Sequence, residues 1–273
     1  MSPAFGMLRY VAERFELNTE QRYWLAFLYA CTLSAPTAFY ILHEFPDFEL
    51  IDQERLRRWW DSNKQRLLFH SDRRWMRARD HFPDVVESYR GNVGRLKQEH
   101  LFQSFLTPNP RTTYERAAAD MSRVYQFGRL SMFPYLEAVS ELTGFPMDPP
   151  SLDMREAVGV RGGLALAIGR PDLGCAAGRR LTLQETGYLQ GQYEMLVSRM
   201  KSIDRRNTVW SLKTTLCAYE KYRFGKRWVG FYLDAQAEEL KTMQEAVSEG
   251  VNWTVLWNYR KETYRKKMLS ELR

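Results

Sequence analysis

Several familiar catalytic motifs are missing from this sequence of 273 residues. It has no Gly-x-x-x-x-Gly-Lys-Ser/Thr phosphate loop, which argues against hydrolysis of nucleoside triphosphates by that route. It has no His-Glu-x-x-His, no His-x-Glu with a cysteine pair and no Gly-x-Ser-x-Gly elbow, which argues against zinc proteases, zinc deaminases and a serine nucleophile. Its four histidines show no ligand spacing. We therefore expect chemistry that needs neither a metal nor a cofactor.

Cysteine and long apolar runs are scarce as well. Cys31, Cys175 and Cys217 are too few and too far apart for a disulfide framework or a Cys-x-x-Cys metal site, which favours a reducing compartment. No segment reaches the roughly 20 apolar residues needed to cross a bilayer. The first residues, Met1–Phe5, lack the basic head and apolar run of a signal peptide. The sequence predicts a cytoplasmic protein without a membrane partner.

Strand-like alternation and long linkers are also absent, whereas apolar residues recur at helical spacing along most of the chain. We expect an all-α fold with a single large domain over residues 1–273. The short Pro-rich and Gly-rich stretches between 145 and 180 mark the place where a subdivision would fall.

Start and stop signals divide the chain into helices. Two helices open the chain, the second capped by Thr19, a third follows Pro36, and Asp52 caps a fourth. Further helices are expected at 84–106, 113–126, 130–143, 183–202, 208–222, 231–248 and 253–271.

The stretch 158–169 is rich in glycine, with Gly159, Gly162 and Gly163. It resembles the glycine hairpin of a helix-hairpin-helix element, as in DNA glycosylase-like proteins, whose backbone N–H groups hold a DNA phosphate. Arg161 within it is a candidate phosphate ligand. Because the glycines are spaced one residue wider than Gly-x-Gly, an ordinary corner between two helices is the alternative.

Positive charge is in excess, since 40 Lys and Arg residues outnumber 33 Asp and Glu residues and give a formal net charge of +7. The basic residues are spread along the whole chain. This balance favours an anionic partner such as nucleic acid or a phosphorylated ligand.

The segment 125–137 combines aromatic residues with an arginine and a carboxylate. Arg129 and Glu137 are eight residues apart and so share one helical face, where Arg129 is suited to bind an anion and Glu137 to accept a proton. An internal ion pair or two solvated side chains would explain the same spacing.

A second polar cluster occupies residues 70–77. Ser71 or Asp72 is placed to cap a helix, and Arg73 with Arg74 is suited to grip a phosphate through planar guanidinium donors. The alternative is that Asp72 is only a cap and the two arginines are solvated.

Basic and aromatic residues interleave between Leu216 and Trp228. Such a pattern can stack a nucleobase while holding its backbone. Aromatic residues at helical spacing more commonly belong to a core.

Five further motifs stand out, namely Glu-Gln-Arg-Tyr-Trp-Leu-Ala at 20–26, Phe-Pro-Asp at 45–47, Asp-Arg-Arg-Trp at 72–75, Phe-Gly-Arg at 127–129 and Tyr-Leu-Glu at 135–137. Together they resemble the bacteriophage amino acid:DNA transferases, which are also described as α-glutamyl/putrescinyl-thymine pyrophosphorylases. With the Leu-x-Cys-x-Tyr segment near 217, the resemblance extends over nearly the whole chain. The 5-hydroxymethyluridine DNA kinases of the same phages are the family most easily confused with it.

The resemblance implies an enzyme that modifies phage DNA in the cytoplasm of the host cell. Its substrate would be DNA containing a phosphorylated 5-hydroxymethyluracil, and a small amine, either an amino acid or a polyamine, would replace the phosphate or pyrophosphate. Departure of that group leaves an electron-poor carbon, so the protein mainly has to stabilise the leaving anion and present a neutral amine.

This reaction assigns tasks to the polar clusters. Arg73, Arg74 and Arg129 are expected to stabilise the leaving group, whose charge grows in the transition state. Glu137 and Asp72 are the candidates for the base that takes a proton from the amine.

A base in duplex DNA has to be flipped out before it can react, at a cost of a few kcal/mol. Trp75, Phe127 and Tyr135 are the candidates for stacking against the flipped base.

Other functions remain open from the sequence. A non-catalytic DNA-binding accessory protein would use the basic surface alone, with Arg129 and Glu137 as a structural ion pair. The related DNA kinases and a glycosylase-like enzyme, which the glycine hairpin would suggest, are the further alternatives.

Overall fold

The computed structural model describes residues 3–78, 81–175, 178, 180–204, 207–228, 230–248 and 250–264. Regular structure in these residues is helical and contains no strand, which confirms the all-α prediction. Contacts divide the chain into two compact units. The larger unit holds the described residues of 3–147 and 232–264, and the smaller unit holds those of 148–231.

Among the described residues, the larger unit starts with the helices α1 (Pro3–Arg14), α2 (Thr19–Thr32), α3 (Ala35–Glu44), α4 (Gln53–Asn63), α5 (His81–Val93), α6 (Gln98–Phe105), α7 (Pro110–Met121) and α8 (Arg129–Thr143). The smaller unit contains α9 (Val158–Ala167), α10 (Leu183–Ile203) and α11 (Val209–Arg223). The chain then returns to the larger unit with α12 (Phe231–Ala246) and α13 (Thr254–Thr263). Short 3₁₀ helices lie at Phe48–Leu50, Ser71–Arg77 and Pro171–Leu173.

Two predicted helix starts can be compared with observed caps. Asp52 caps α4 as predicted, because its carboxylate accepts the Arg55 N–H at 2.6 Å. The prediction of Thr19 as the cap of α2 is wrong by one residue. Asn18 is the cap, since its side chain accepts the Gln21 N–H at 3.0 Å and the Gln21 side chain accepts the Asn18 N–H in return.

Two predicted helices are shorter than expected. The span 84–106 contains two helices, because α5 ends at Val93 and Gly94 adopts a φ of +65° that ordinary helix does not allow. The helix predicted over 113–126 corresponds to α7, which begins at Pro110 and ends at Met121. The predicted helix 253–271 corresponds to α13 up to Thr263, and its residues 265–271 lie outside the described part of the chain.

The core of the larger unit is built around α2, which is buried throughout from Tyr23 to Thr32. Helix α8 packs along α2. The Phe27 ring of α2 stacks on Tyr89 at 4.0 Å and on Phe127 at 5.3 Å between ring centroids. These contacts hold the start of α8 at a fixed place beside α2.

The glycines of 158–169 do not form a hairpin, which corrects both predictions for this stretch. Gly159, Gly162 and Gly163 lie inside the continuous helix α9. A Cβ at Gly163 would come within 2.0 Å of the Leu216 carbonyl oxygen, and one at Gly162 within 1.7 Å of the Glu220 carboxylate. Because the atoms that Gly163 faces belong to the backbone, this glycine is required for the close approach of α9 to α11 in the smaller unit, whereas the flexible Glu220 side chain moves away from position 162 at little cost.

None of the helices within the described ranges combines the length and the apolar character that crossing a bilayer demands.

Candidate active site

The carbonyl end of α2 is covered by the segment that begins at His70. The last carbonyls of a helix have no partner within that helix. Here the His70 N–H donates to the Thr32 carbonyl at 3.1 Å, and Arg73 Nε donates to the Ala30 carbonyl at 2.8 Å. This segment continues as the 3₁₀ helix Ser71–Arg77, which is thereby attached to the end of α2.

Arg73 also donates a hydrogen bond to a carbonyl of α8 that has no donor within its own helix. Pro134 lies inside this helix, and a proline has no N–H to donate to the carbonyl four residues earlier. That carbonyl belongs to Leu130, and it accepts a hydrogen bond from Arg73 Nη2. Nη1 of Arg73 donates to the Asp72 carbonyl at 3.0 Å. Arg73 therefore fastens the 3₁₀ helix, α2 and α8 to one another.

The burial of Arg73 changes the role expected for it. Its exposed fraction is 1%, and burial lowers the pKa of its guanidinium, with Cys31, Asp72 and Tyr29 acting in the opposite direction. Because its N–H groups donate to protein carbonyls, Arg73 is not arranged to bind a phosphate directly. This corrects the prediction made from sequence. Arg73 instead places a positive charge beneath the first turn of α8.

The first turn of α8 is exposed at Arg129 and Leu130 and contains no acidic residue. Gly128 at the N-cap provides no capping side chain, and the turn contains no acidic residue. Arg129 is exposed, as is Leu130 with an exposed fraction of 72%. A helix N-terminus favours negative charge through its amide dipoles. The turn thus combines a helix N-terminus with an exposed guanidinium.

Glu137 and Arg129 both act on one tyrosine of α7. Burial raises the pKa of Tyr114 to about 12, while Arg129 lowers it and Glu137 raises it further. Glu137 itself is buried, with an exposed fraction of 6%. The two residues named by the sequence therefore both act electrostatically on Tyr114, in opposite directions.

A second carboxylate, Glu239 of α12, was not anticipated. Burial raises the pKa of Glu239 to about 7, and the neighbouring Ser34 hydroxyl lowers it by a smaller amount. Both Glu137 and Glu239 raise the pKa of Tyr29, although the burial of Tyr29 raises it most. Nothing in the local sequence of α12 distinguishes Glu239 from a surface glutamate, because its burial depends on the tertiary fold, and the residues that interact with it, Ser34 and Tyr29, are distant in sequence.

Three aromatic rings, two of them partly exposed and one exposed, form a row that joins the 3₁₀ helix to the segment before α8. The Trp75 ring meets the His81 ring edge-on at 5.8 Å, and His81 lies 6.3 Å from Tyr125 between ring centroids. Tyr125 has an exposed fraction of 43%, and its N–H donates to the Ser88 hydroxyl at 2.8 Å. Trp75 is partly exposed. His81 and Tyr125 were not among the residues chosen from sequence.

Two residues predicted to stack on a base are core residues instead. Phe127 and Tyr135 have exposed fractions of 1% and 0%, and their rings pack against each other at 5.4 Å. The Tyr135 hydroxyl shares a 2.6 Å hydrogen bond with that of Tyr89. No face of either ring is accessible to a base, which corrects the prediction. Trp75, which is partly exposed, remains a candidate for stacking against the flipped base.

The other predicted residues fall in different surroundings. Asp72 and Arg74 are exposed on the 3₁₀ helix. His70, rather than Ser71 or Asp72, caps this helix, since its Nδ1 accepts the Asp72 N–H at 3.3 Å. Arg161 belongs to the smaller unit, where its Nε donates to Cys175 Sγ at 3.0 Å.

Among the residues that the structure describes, no group of three or more His, Cys, Asp or Glu side chains is arranged to hold a metal ion.

Comparison with known proteins places these residues in context. The family model for amino acid:DNA transferases matches residues 2–227. A protein of Salmonella phage ViI named "Serinyltransferase" is 27% identical over 161 residues, which cover 56% of this chain and 39% of that protein. The chain thus matches well under half of that relative's length. No solved structure matches the chain significantly. The matched family region includes α8 and the 3₁₀ helix Ser71–Arg77 and ends before Glu239.

Proposed function

Because the chain belongs to the amino acid:DNA transferase family, we propose that it replaces the phosphate or pyrophosphate of a phosphorylated 5-hydroxymethyluracil in DNA with an amine. In this reaction the amine nitrogen forms a bond to the exocyclic methylene carbon. The bond from that carbon to the phosphate oxygen breaks, and its electron pair leaves with the phosphate. One proton of the amine passes to a base on the protein.

The observation that carries this proposal is the first turn of α8. An exposed arginine, Arg129, stands at a helix N-terminus that has no capping side chain and no acidic residue. The buried charge of Arg73 lies beneath the same turn through its bond to the Leu130 carbonyl. Fixed positive charge of this kind stabilises a leaving phosphate more as its charge grows. Arg74, exposed on the adjoining 3₁₀ helix, is the second candidate ligand.

We assign the proton transfer to Glu137. Glu137 lies on the same helix as Arg129, and both charges act on Tyr114, which supports placing the proton acceptor and the phosphate ligand on α8. An amine attacks only after losing its extra proton, and a carboxylate within hydrogen-bond reach supplies the acceptor. Asp72, exposed on the 3₁₀ helix, is the second candidate for this role.

The aromatic row of Trp75, His81 and Tyr125 is proposed as the platform for the flipped base. It lies on the segments that adjoin the first turn of α8. The His81 ring is in the middle, in contact with Trp75 on one side and Tyr125 on the other. Stacking on such rings is worth about 1–3 kcal/mol per base, enough to offset much of the cost of flipping.

The test is to incubate the protein with DNA that contains phosphorylated 5-hydroxymethyluracil and a panel of amines. Serine comes first in the panel because the phage ViI relative is named a serinyltransferase. The DNA is then digested and the nucleosides are weighed. A mass gain equal to one amine, with loss of the phosphate, is the expected result.

Other products would identify other functions. Phosphate gained by unphosphorylated 5-hydroxymethyluracil from ATP would indicate a DNA kinase, and release of a free base would indicate a glycosylase. Unchanged nucleosides with salt-sensitive DNA binding would indicate an accessory protein.

A further inference from the structure

A compact surface of aromatic and basic residues follows α11 in the smaller unit. We call residues 219–228 together with Phe231 the aromatic–basic segment. Three large aromatic side chains within seven residues are about half exposed, namely Tyr222 at 53%, Phe224 at 48% and Trp228 at 52%. Single exposed apolar residues are common on proteins, whereas a cluster marks an interaction surface.

Positive charge alternates with these rings. Residues 219–228 contain one carboxylate, Glu220, and four basic side chains, those of Lys221, Arg223, Lys226 and Arg227. Burial raises the pKa of Glu220. The segment therefore offers an excess of positive charge beside its aromatic rings.

The segment has a defined shape. The Gly225 N–H donates to the Tyr222 carbonyl at 3.0 Å, and the Lys226 N–H donates to the Lys221 carbonyl at 2.9 Å. Gly225 adopts a φ of +66°, which an L side chain rarely accepts. This closed turn ends α11 and presents Phe224 at the surface.

Two arginine side chains of the segment form cation–π contacts with aromatic rings of the same segment. The Arg227 guanidinium lies 4.7 Å from the centre of the Phe231 ring, and that of Arg223 lies 5.9 Å from the Tyr219 ring. Trp228 meets Phe231 edge-on at 5.0 Å. These contacts hold charges beside exposed aromatic faces, the arrangement by which proteins bind unpaired nucleic acid strands.

We propose that the aromatic–basic segment binds single-stranded or locally unpaired DNA, with bases stacked on Tyr222, Phe224 and Trp228 and phosphates held by the neighbouring cations. This inference rests on the proposed DNA substrate. Paired bases in a duplex hide their faces from such a platform, so the segment favours an unpaired strand over a duplex. Alternation of charge and rings, rather than one continuous apolar face, favours a polyanion with exposed bases over a protein partner.

The test measures binding of the whole protein to unmodified DNA by fluorescence anisotropy, with a labelled 20-nucleotide oligothymidine and a duplex of the same length. We expect tighter binding to the single strand. Phe224→Ala and Trp228→Ala should each weaken that binding by about tenfold, whereas Trp228→Phe should retain most of it. Arg223→Gln and Lys226→Gln should each make the dependence of affinity on salt shallower by about 0.7 in the log–log slope.

Tyr188→Ala is the matched control, because Tyr188 is a 44% exposed tyrosine of the same unit outside this segment. It should leave binding unchanged. Thermal melts of all variants check that the fold is retained, as expected for exposed side chains.

Three results would overturn the proposal. They are unchanged affinity of Phe224→Ala and Trp228→Ala, binding to phosphatidylserine vesicles in preference to the oligonucleotide, and a dimer that the same substitutions dissociate without an effect on DNA binding. Because unmodified DNA is not a substrate for transfer, failure here is separate from failure of the proposed function. A protein that transfers amines but ignores these substitutions contradicts only the surface, and one that binds as expected but transfers nothing contradicts only the activity.

Discussion

Arg73 donates a hydrogen bond to the carbonyl of Leu130, at the position in α8 where Pro134 provides no helical donor. A proline that would otherwise leave a carbonyl without a partner is thereby tolerated near the start of a helix. The same side chain also covers the Ala30 carbonyl at the end of α2. The turn that carries Arg129 is held in place by this one buried guanidinium.

Replacing Arg73 tests this account through stability. Arg73→Ala leaves several buried carbonyls without a donor, so we expect the free energy of unfolding to fall by about 3 kcal/mol. Pro134→Ala restores an N–H for the Leu130 carbonyl. The double variant should therefore lose less than the sum of the two single changes, as measured by urea denaturation. Strict additivity would show that the Leu130 bond contributes nothing.

The glycine face of α9 gives a second prediction. Gly163→Ala would place a methyl group 2.0 Å from the Leu216 carbonyl oxygen, so α9 and α11 have to move apart. We expect a loss of about 1–3 kcal/mol in stability. The matched control is Gly187→Ala in α10, where the added carbon meets nothing within 4 Å and should stabilise the protein by about 0.5–1 kcal/mol. Equal effects of the two changes in thermal melts would contradict the close packing.

Much of the helical framework can be predicted from sequence, because periodic apolar residues and caps such as Asp52 are local signals. Pro134 is visible too, yet the donor that compensates for it is 61 residues away in the chain, at Arg73. Local pattern likewise gives the same aromatic character to Trp75, which is partly exposed, and to Phe127, which is buried. Exposure is decided by tertiary packing, which is why the sequence alone does not separate candidate surface residues from core residues.

Glu239 predicts a dependence of stability on pH. Its pKa is about 7 in the folded protein, against an ordinary value of 4.5. Between these values the folded state binds more protons than the unfolded state, so the free energy of unfolding falls as the pH rises, by up to about 3 kcal/mol. From about one pH unit above the folded-state pKa, this contribution no longer changes.

The matching experiment compares Glu239→Gln with Glu238→Gln, its exposed neighbour. Glu239→Gln should remove the decline and be more stable than the parent protein at pH 8. Glu238→Gln should keep the parent profile in denaturation series from pH 4 to pH 8. Identical stability profiles for the two variants would show that burial does not raise the pKa of Glu239.

The aromatic row predicts an effect on catalysis. Trp75→Ala removes a ring proposed to stack on the flipped base, and kcat/KM for modified DNA should fall by about tenfold or more. Ala replacement of Leu50, which is 79% exposed, is the control and should have no effect. Equal rates for the two variants would exclude Trp75 from the platform.

The proposed chemistry depends most directly on Arg129. The decisive measurement is the amount of amine incorporated into DNA containing phosphorylated 5-hydroxymethyluracil, determined by nucleoside mass for the parent protein, Arg129→Ala and Glu137→Gln, with DNA affinity measured in parallel. The account predicts that Arg129→Ala lowers incorporation by at least about a hundredfold while DNA affinity changes little, and that Glu137→Gln lowers incorporation as well. Unchanged incorporation by Arg129→Ala would contradict the assignment of the leaving group to the first turn of α8.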